Sequence, residues 1–351
     1  MARYFNFLIV VILGAIYYCS NNPALIKSYT EFRYKSRCLY SDKFGYGDLY
    51  GMSYLSDYRI PSTHKIHAAR QAFKNDIDLY LFCDSYLNDF IEKNHFYGVD
   101  SLYKIRWWEL QTYKQITSLD KKKRNILVLE IAERRVRIIC SNYSSNINML
   151  KIDSTHSLPN TFSESDSKFS FSSFLTTHFF NPQINNNLEL NLFDYKIFRP
   201  FRELKADFIF NLFNRVNNNV YLDTSKMFLY YMPTVSGEQN ENVFFPVDSN
   251  EIKLICSTLN KVYSYYIGQG FNEIYLSIIP NTVTMVNPSI GKYNNLIPSL
   301  YALDSLRMCI FDVSKIYSNN PQKYYSRNDT HWNSKGLQAW VDNFNKILKK
   351  Q

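Results

Sequence analysis

The chain has 351 residues, 46% of them hydrophobic and 17% aromatic, which excludes a disordered protein and is enough to bury the core of one large domain. Its formal charge is +9, but the 40 Lys and Arg residues are scattered apart from 121–124, so we expect no nucleic-acid partner. A basic surface would equally suit a membrane or an anionic glycan. The six cysteines have no close metal-ligand spacing, and four lie in or beside apolar runs, which predicts buried, unpaired thiols: Cys83, Cys140, Cys256 and Cys309.

Residues 1–19 have the pattern of a signal peptide or a membrane anchor. Arg3 precedes an apolar run over 5–18, which is short for a spanning helix but has the length of a signal-peptide core or a minimal signal anchor. We therefore predict an exported protein, periplasmic or at the cell surface, that is tethered to the membrane by this segment. A buried N-terminal helix is the alternative. Residues 20–76 are polar and aromatic, with a turn signal at 44–48, and form a lead-in to the main domain.

The main domain, residues 77–351, alternates strand and helix patterns. Compact apolar runs at 77–82 and 126–131 are typical of buried strands, and the residues between them have a helical composition, which predicts a parallel β-α-β unit. Residues 141–190 are rich in Ser, Asn, Thr and Phe, and we predict a surface insertion or a lid there. A helical pattern at 201–214 carries no chemical motif.

Beyond these residues the sequence predicts further strands at 227–232, 274–279 and 307–313. Apolar residues at helical spacing from 252 to 266 and from 337 to 348 predict a helix in each range. Strands alternating with helices imply a mostly parallel sheet covered on both faces. The predicted fold is therefore α/β, with three layers in the order α/β/α.

Three polar clusters lie at predicted strand ends, where open α/β sheets gather their chemistry. They are Asp84-Ser85 after the first strand, Glu133-Arg134 after the second, and Asp329-Thr330-His331-Trp332 before the last helix. A carboxylate two residues before an imidazole can fix the tautomer of the ring and stabilise its protonated form, as a general base for a serine requires.

Ser85 is the best-placed nucleophile for such a base. A serine at a strand-to-helix turn exposes its Oγ, and its own backbone N–H at the start of a helix can help to hold an oxyanion. The alternative is purely structural, with Ser85 as a plain helix cap and Asp329 and His331 belonging to the cap of the last helix.

These residues resemble the SGNH hydrolase superfamily, and more narrowly the SGNH-like domains of the alginate O-acetyltransferase type, which carry an Asp-x-His-Trp motif. The run Leu-Glu-Ile-Ala-Glu-Arg at 129–134 is also similar to the strand-end Glu-Arg of that group. The resemblance covers roughly 77–345. It implies a catalytic triad of Ser85 as nucleophile, His331 as general base and acid, and Asp329 as the orienting carboxylate, with no cofactor and no metal.

The resemblance also suggests residues for the substrate or oxyanion site. Arg134 would border the acyl or glycan site, or else form a salt bridge to Glu130 or Glu133. Asn281, which follows Pro280 at a strand end, is a conceivable oxyanion donor. The complete set is Asp84, Arg134, Asn281 and Trp332.

Two features depart from the family pattern. Cys83 stands where the superfamily usually has glycine before Asp-Ser, so the backbone freedom of glycine is absent. In addition, the Asp-x-His segment follows the serine, as in ordinary SGNH esterases, whereas in the alginate group it precedes the serine.

The resemblance implies an extracytoplasmic serine acyl-ester enzyme, either an O-acetyltransferase or an O-acetylesterase of a cell-surface or exported polysaccharide. The expected partners are the polysaccharide acceptor and, for a transferase, a membrane-embedded acyl-donor protein. The alternative is a catalytically inactive glycan-binding or structural surface protein with the same fold. The missing glycine at position 83 favours it, and the 29 tyrosines could stack on sugars.

Overall fold

The computed structural model describes residues 2–22, 25–26, 28, 45–61, 65–69, 76–110, 118–141, 184–193, 195–237 and 240–349. Most of the insertion predicted at 141–190 lies outside these residues. The chain divides into two compact units. The N-terminal unit comprises Met1–Phe44, Tyr54–Asp57 and Leu158–Arg215, and the sheet unit comprises Gly45–Ser53, Tyr58–Ser157 and Val216–Gln351.

The elements are numbered here in chain order. The helices are α1 (Ala2–Asn21), α2 (Asp48–Ser53), α3 (Ser85–Asn88), α4 (Glu133–Ser141), α5 (Ile184–Phe193), α6 (Arg199–Phe213), α7 (Met232–Ser236), α8 (Ser249–Gly268), α9 (Thr282–Val286), α10 (Leu296–Tyr301), α11 (Ser314–Tyr317) and α12 (Ser334–Lys349). The strands are β1 (Ile77–Cys83), β2 (Val99–Arg106), β3 (Arg124–Ala132), β4 (Val220–Leu222), β5 (Leu229–Tyr231), β6 (Glu273–Ile279) and β7 (Cys309–Ile310).

The sheet unit is an α/β structure around a five-stranded sheet with the order β2-β1-β3-β6-β7. Every strand pairing in it is parallel. All seven residues of β1 are buried, as are eight of the nine in β3, which is why both strands appear in the sequence as continuous apolar runs without alternation. The carboxyl ends of these neighbouring parallel strands meet at one edge of the sheet, where β1 leads into α3 and β3 leads into α4.

Alternate side chains of the central strands enter two separate buried clusters. Leu81 belongs to one cluster together with Phe344 of α12. Phe82 and Leu129 belong to the other, together with Ile255 of α8. Because successive side chains of a strand point to opposite faces, the two faces of β1 and β3 are packed by different helices.

Three sequence predictions about strands need correction. The segment between the first two predicted strands is not all helical, because it contains β2, an edge strand whose polar residues conceal the alternation. The strand predicted at 227–232 is only β5, which pairs antiparallel with β4 in a separate two-stranded sheet. The strand predicted at 307–313 is reduced to the two exposed residues of β7, so the thiol of Cys309 is exposed rather than buried. The thiols of Cys83, Cys140 and Cys256 are buried and unpaired.

The N-terminal unit contains the apolar helix α1. The stretch Arg3–Asn21 has a mean hydropathy of 1.5, and only 11% of it is buried. Among the described residues, helix α1 is therefore not buried as a core helix, which argues against that alternative. Its length and composition fit either a membrane span or a signal sequence.

Candidate active site

Ser85 is the first residue of α3, immediately after the end of β1. The backbone N–H of Asp84 donates to Glu130 Oε2 at 2.8 Å, and Asp84 Oδ2 accepts from the N–H of Ala132 at 3.3 Å. These two hydrogen bonds tie the end of β1 to the end of β3. Cys83 does not have a positive φ, so the turn does not need the backbone freedom of glycine at that position, and its side chain packs in the core.

The structure brings Ser85, His331 and Asp329 into one continuous hydrogen-bonded relay. Ser85 Oγ lies 2.7 Å from His331 Nε2, and His331 Nδ1 lies 2.6 Å from Asp329 Oδ1. Asp329 Oδ1 also accepts the backbone N–H of His331 at 3.0 Å. A carboxylate can only accept here, so Nδ1 carries the ring proton and Nε2 is free to accept the proton of Ser85.

Local packing holds the segment that carries His331. Trp332 is fully buried, and the ring of Tyr86 contacts both Trp332 and His331, with centroids 5.2 and 4.7 Å away. The Tyr86 hydroxyl donates to the carbonyl of Thr330 at 2.7 Å. A Cβ on Gly336 would lie 2.6 Å from Trp332 Cβ, so only glycine allows α12 to begin this close to the segment.

Asp48 is a member of the site that the sequence analysis did not identify. Its Oδ1 accepts the N–H of Thr330 at 2.7 Å, its Oδ2 accepts the hydroxyl of Thr330 at 2.5 Å, and its own N–H donates to Asp329 Oδ2 at 3.3 Å. Asp48 Oδ2 lies 3.9 Å from His331 Nδ1. Gly47 has a φ of +90°, and a Cβ there would lie 2.4 Å from the carbonyl oxygen of Asn328. Glycine at position 47 therefore allows the backbone to come close to Asn328, and this places Asp48 in contact with Thr330 and Asp329.

The two carboxylates control the proton affinity of the imidazole. Burial lowers the pKa of His331, but the charge and hydrogen bond of Asp329, with the charge of Asp48, outweigh burial and leave that pKa raised. Burial and the neighbouring Asp329 in turn raise the pKa of Asp48. The carboxylates of Asp329 and Asp48, both on the Nδ1 side of the ring, therefore raise the proton affinity of His331.

Asn281 presents an unpaired amide among the described residues, and the hydroxyl of the next residue, Thr282, donates to the carbonyl of Thr330 at 3.4 Å. The side chain of Asn281 is 2% exposed, and neither Nδ2 nor Oδ1 has a hydrogen-bond partner among the described residues. Its backbone is fixed, because the N–H of Asn281 donates to Glu133 Oε2 at 2.9 Å. The buried carboxylate of Glu133 also accepts from the hydroxyls of Thr284 and Tyr293, both at 2.7 Å.

Arg134 does not pair with either nearby glutamate in the described structure. Glu130 is hydrogen-bonded to the backbone of Asp84, and Glu133 holds the loop of Asn281. The guanidinium of Arg134 instead lies over two rings, 5.9 Å from the centroid of Tyr86 and 5.8 Å from that of Tyr231. This removes the salt-bridge alternative for Arg134 and leaves its charge beside the relay.

A cleft with about 220 Å³ of empty space, including its open mouth, is lined in part by Thr330, the chain neighbour of Asp329 and His331, but not by Ser85, Asp329 or His331 themselves. The residues that line it are Leu49, Arg134, Tyr230, Tyr231, Thr234, Asn281, Thr282, Val283 and Thr330. Two residues that were expected at the substrate or oxyanion site do not line it. Trp332 has no exposed surface and packs against Tyr86 in the core. Asp84 is buried, and its carboxylate accepts the N–H of Ala132.

Asp48, Asp329 and His331 are also the three described residues whose potential metal-ligand atoms lie within 4.8 Å of one another. The same atoms are engaged in hydrogen bonds: Asp329 with His331 and with the N–H of Asp48, and Asp48 with Thr330. The three side chains of the cluster are thus already joined in one hydrogen-bonded network.

No family model, no curated protein and no solved structure matches the chain.

Proposed function

We propose that the chain is a serine acyl-ester enzyme of SGNH type that transfers or removes O-acetyl groups on a cell-surface or exported polysaccharide. The observation that carries the proposal is the unbroken relay from Ser85 Oγ through His331 to Asp329, at 2.7 and 2.6 Å. A serine that only capped α3 would have no need of an imidazole aligned by a carboxylate.

The mechanism follows from the relay. Ser85 Oγ attacks the acyl carbonyl while His331 Nε2 takes the serine proton, and Asp329 stabilises the imidazolium that forms. The tetrahedral intermediate collapses when the leaving oxygen takes that proton back from Nε2, which leaves an acyl-serine. A sugar hydroxyl or water then gives its proton to Nε2 and attacks the acyl carbon. The bond from the acyl carbon to Ser85 Oγ breaks as Oγ takes that proton from Nε2, which restores the free serine and the neutral imidazole.

The negative oxygen of the intermediate requires donors that are already in position. Asn281 Nδ2 is the prime candidate, because a buried amide without a partner gains the full value of a hydrogen bond to an oxyanion. The backbone N–H of Ser85 is the second candidate. The role of Glu133 is then to hold the backbone of Asn281 in place from behind.

The size and lining of the cleft support a small acyl group on a sugar. The empty space of about 220 Å³, which includes the open mouth, lies below the usual range of roughly 300–1,000 Å³ for ligand sites, so a long acyl chain does not fit. Tyr231 and Arg134, which are both partly exposed, offer an aromatic face and a charge to a carbohydrate.

The SGNH-type arrangement of three layers and the membrane location belong to the same proposal. Two separate buried clusters on the two faces of β1 and β3 support the α/β/α arrangement. The exposed apolar helix α1 supports membrane tethering, and the location outside the cytoplasm is part of the proposal. The proposed partners are the polysaccharide acceptor and, for a transferase, a membrane-embedded acyl-donor protein.

The test is hydrolysis of p-nitrophenyl acetate by the full chain in detergent, compared with Ser85→Ala and His331→Ala. We expect both variants to lose about 10³-fold or more in kcat/KM. Ser257→Ala is the matched control, because this serine is exposed on α8, and it should keep wild-type activity. Equal rates in the wild type and both site variants, with all chains folded by circular dichroism, would exclude the proposal.

A further inference from the structure

Helix α6 carries its apolar residues on the outside. Phe201, Leu204, Phe208 and Leu212 follow one another at spacings of three and four, which places them on one helix face. Their exposed fractions are 67, 69, 58 and 63%. The charged side chain of Glu203 is buried. This is the reverse of the usual arrangement, in which a helix turns its apolar face to the core.

The orientation of α6 is fixed by contacts on its inner side. Asp207 Oδ1 accepts the backbone N–H of Ser56 at 3.1 Å. Arg202 Nη1 donates to the hydroxyl of Tyr54 at 2.8 Å, and its guanidinium lies 3.8 Å from the centroid of the Tyr54 ring. All these residues belong to the N-terminal unit. The exposed apolar face is therefore a fixed surface of that unit.

The same unit contains the helix that fits a membrane span. Helix α5 packs along α1, and Asn187 Nδ2 of α5 donates to the carbonyl of Ser20 at 2.8 Å, at the C-terminal end of α1. Helix α6 begins only a short turn after α5 ends, and Ile197 in that turn is 75% exposed. The exposed apolar face therefore belongs to the unit that α1 would hold at a bilayer.

The charges near this face complement a lipid surface. Four basic residues lie within ten positions at the start of α6, namely Lys196, Arg199, Arg202 and Lys205. Of these, Arg202 is held on the inner side by Tyr54, which leaves Lys196, Arg199 and Lys205. The acidic residues nearby in the sequence are Asp194, Glu203, which is buried, and Asp207, which bonds the backbone of Ser56. An apolar face beside basic side chains is the pattern of a helix that lies in the interface of a membrane with anionic lipids.

We propose that α6 is an interfacial helix: it lies along the membrane surface, with Phe201, Leu204, Phe208 and Leu212 inserted below the headgroups of anionic lipids. The inference rests on the proposed tethering by α1. Helix α6 then gives the N-terminal unit a second attachment to the bilayer. The two attachments together fix the distance of this unit from the bilayer and its rotation about the axis of α1.

For the test, the full chain is reconstituted in nanodiscs of phosphatidylcholine and phosphatidylglycerol. One sample carries a fluorophore on the apolar face of α6, and a second carries it at position 57, outside this helix. The native cysteines Cys19, Cys38 and Cys309 are first replaced by serine, and an environment-sensitive NBD label is then attached at Phe208→Cys. Asp57→Cys is the matched control, because it is exposed, lies in the same unit and adjoins the residue that bonds the inner side of α6. The quenchers are lipids that carry a doxyl group high on the acyl chain.

We expect the label at position 208 to shift to the blue and to lose most of its fluorescence to the doxyl lipids, and the label at position 57 to keep both its colour and its intensity. Leu204→Glu together with Leu212→Glu should restore the intensity at position 208, because two charges in the apolar face oppose insertion. Neither change touches the relay, so ester hydrolysis should be unaffected.

Three outcomes would overturn the inference, and they separate it from the proposed function. A label at position 208 that remains water-exposed in nanodiscs that contain the chain overturns the interfacial helix alone. A label protected only in native membranes, and not in pure lipid, means that a protein covers this face. Failure of the folded chain to enter nanodiscs removes the tethering as well, while the ester assay still decides the chemistry independently.

Discussion

Replacing Asp48 with asparagine removes a charge from the site and keeps its shape. The closest approach of Asp48 to the imidazole, from Oδ2 to His331 Nδ1, is 3.9 Å. Two unit charges at that distance interact by about 1 kcal/mol in water and about 4 kcal/mol at an effective dielectric constant near 20. Asp48 is 24% exposed, so solvent screens it and the lower end applies. The loss of this attraction of about 1 kcal/mol to the imidazolium should lower the pKa of His331.

The sign of the effect on activity follows from the state that the mechanism needs. His331 must be neutral to accept the proton of Ser85, so wild-type activity is lost as the pH falls through its raised pKa. In Asp48→Asn the pKa of His331 is lower, so the acidic limb of the pH profile should move to lower pH.

The assay is kcat/KM for p-nitrophenyl acetate as a function of pH. Asp89→Asn is the matched control, because it removes one carboxylate from an exposed ion pair with Arg106. The reasoning is refuted if the acidic limbs of wild type and Asp48→Asn coincide. It is also refuted if the limb shifts as far in Asp89→Asn as in Asp48→Asn. Asp48→Ala should cost more than Asp48→Asn at every pH, since it also leaves the N–H of Thr330 without its acceptor.

Three further substitutions test other parts of the structure. Asn281→Ala should lower kcat by about 10²-fold or more and leave the melting temperature almost unchanged, because the amide has no hydrogen bond to lose within the described structure; a large fall in melting temperature would contradict this. Gly47→Ala should destabilise the fold by about 1–3 kcal/mol in urea denaturation and impair catalysis, whereas Gly268→Ala, where a Cβ meets nothing within 4 Å, should do neither. Phe344→Ala should cost about 3–5 kcal/mol in the same experiment, and a loss below about 1 kcal/mol would show that α12 does not pack on the sheet as described.

The parts of the fold that could be predicted from the sequence are those in which local pattern and burial agree. The strands β1 and β3 are mostly apolar, without alternation, because both faces are covered, and α12 has one continuous apolar face. The edge strand β2 is not recognisable from the sequence, because it is only partly buried and its polar side chains interrupt the run of apolar residues. The spacing of apolar residues predicts the helix α6, but this spacing does not show whether the apolar face packs against the core or is exposed.

The site could be predicted only where each residue lies at the end of a recognisable element. Ser85 follows a buried strand, and Asp329 and His331 precede an amphipathic helix, so all three could be named. Asp48 could not, since it acts on a segment 282 residues away in the chain through a close approach at Gly47 that no local pattern encodes. The attachment of Asn281 to Glu133 is equally non-local, because it joins the ends of two strands far apart in sequence.

The most direct measurement of the central claim is covalent labelling of the full chain with a fluorophosphonate, which forms a bond from an activated serine oxygen to phosphorus as fluoride leaves. Tryptic peptides then locate the adduct by mass spectrometry. We expect one adduct, on Ser85, which is absent from Ser85→Ala and strongly reduced in His331→Ala. An adduct elsewhere, no adduct in the folded wild type, or equal labelling in His331→Ala would contradict the claim that Ser85 is a nucleophile activated by His331.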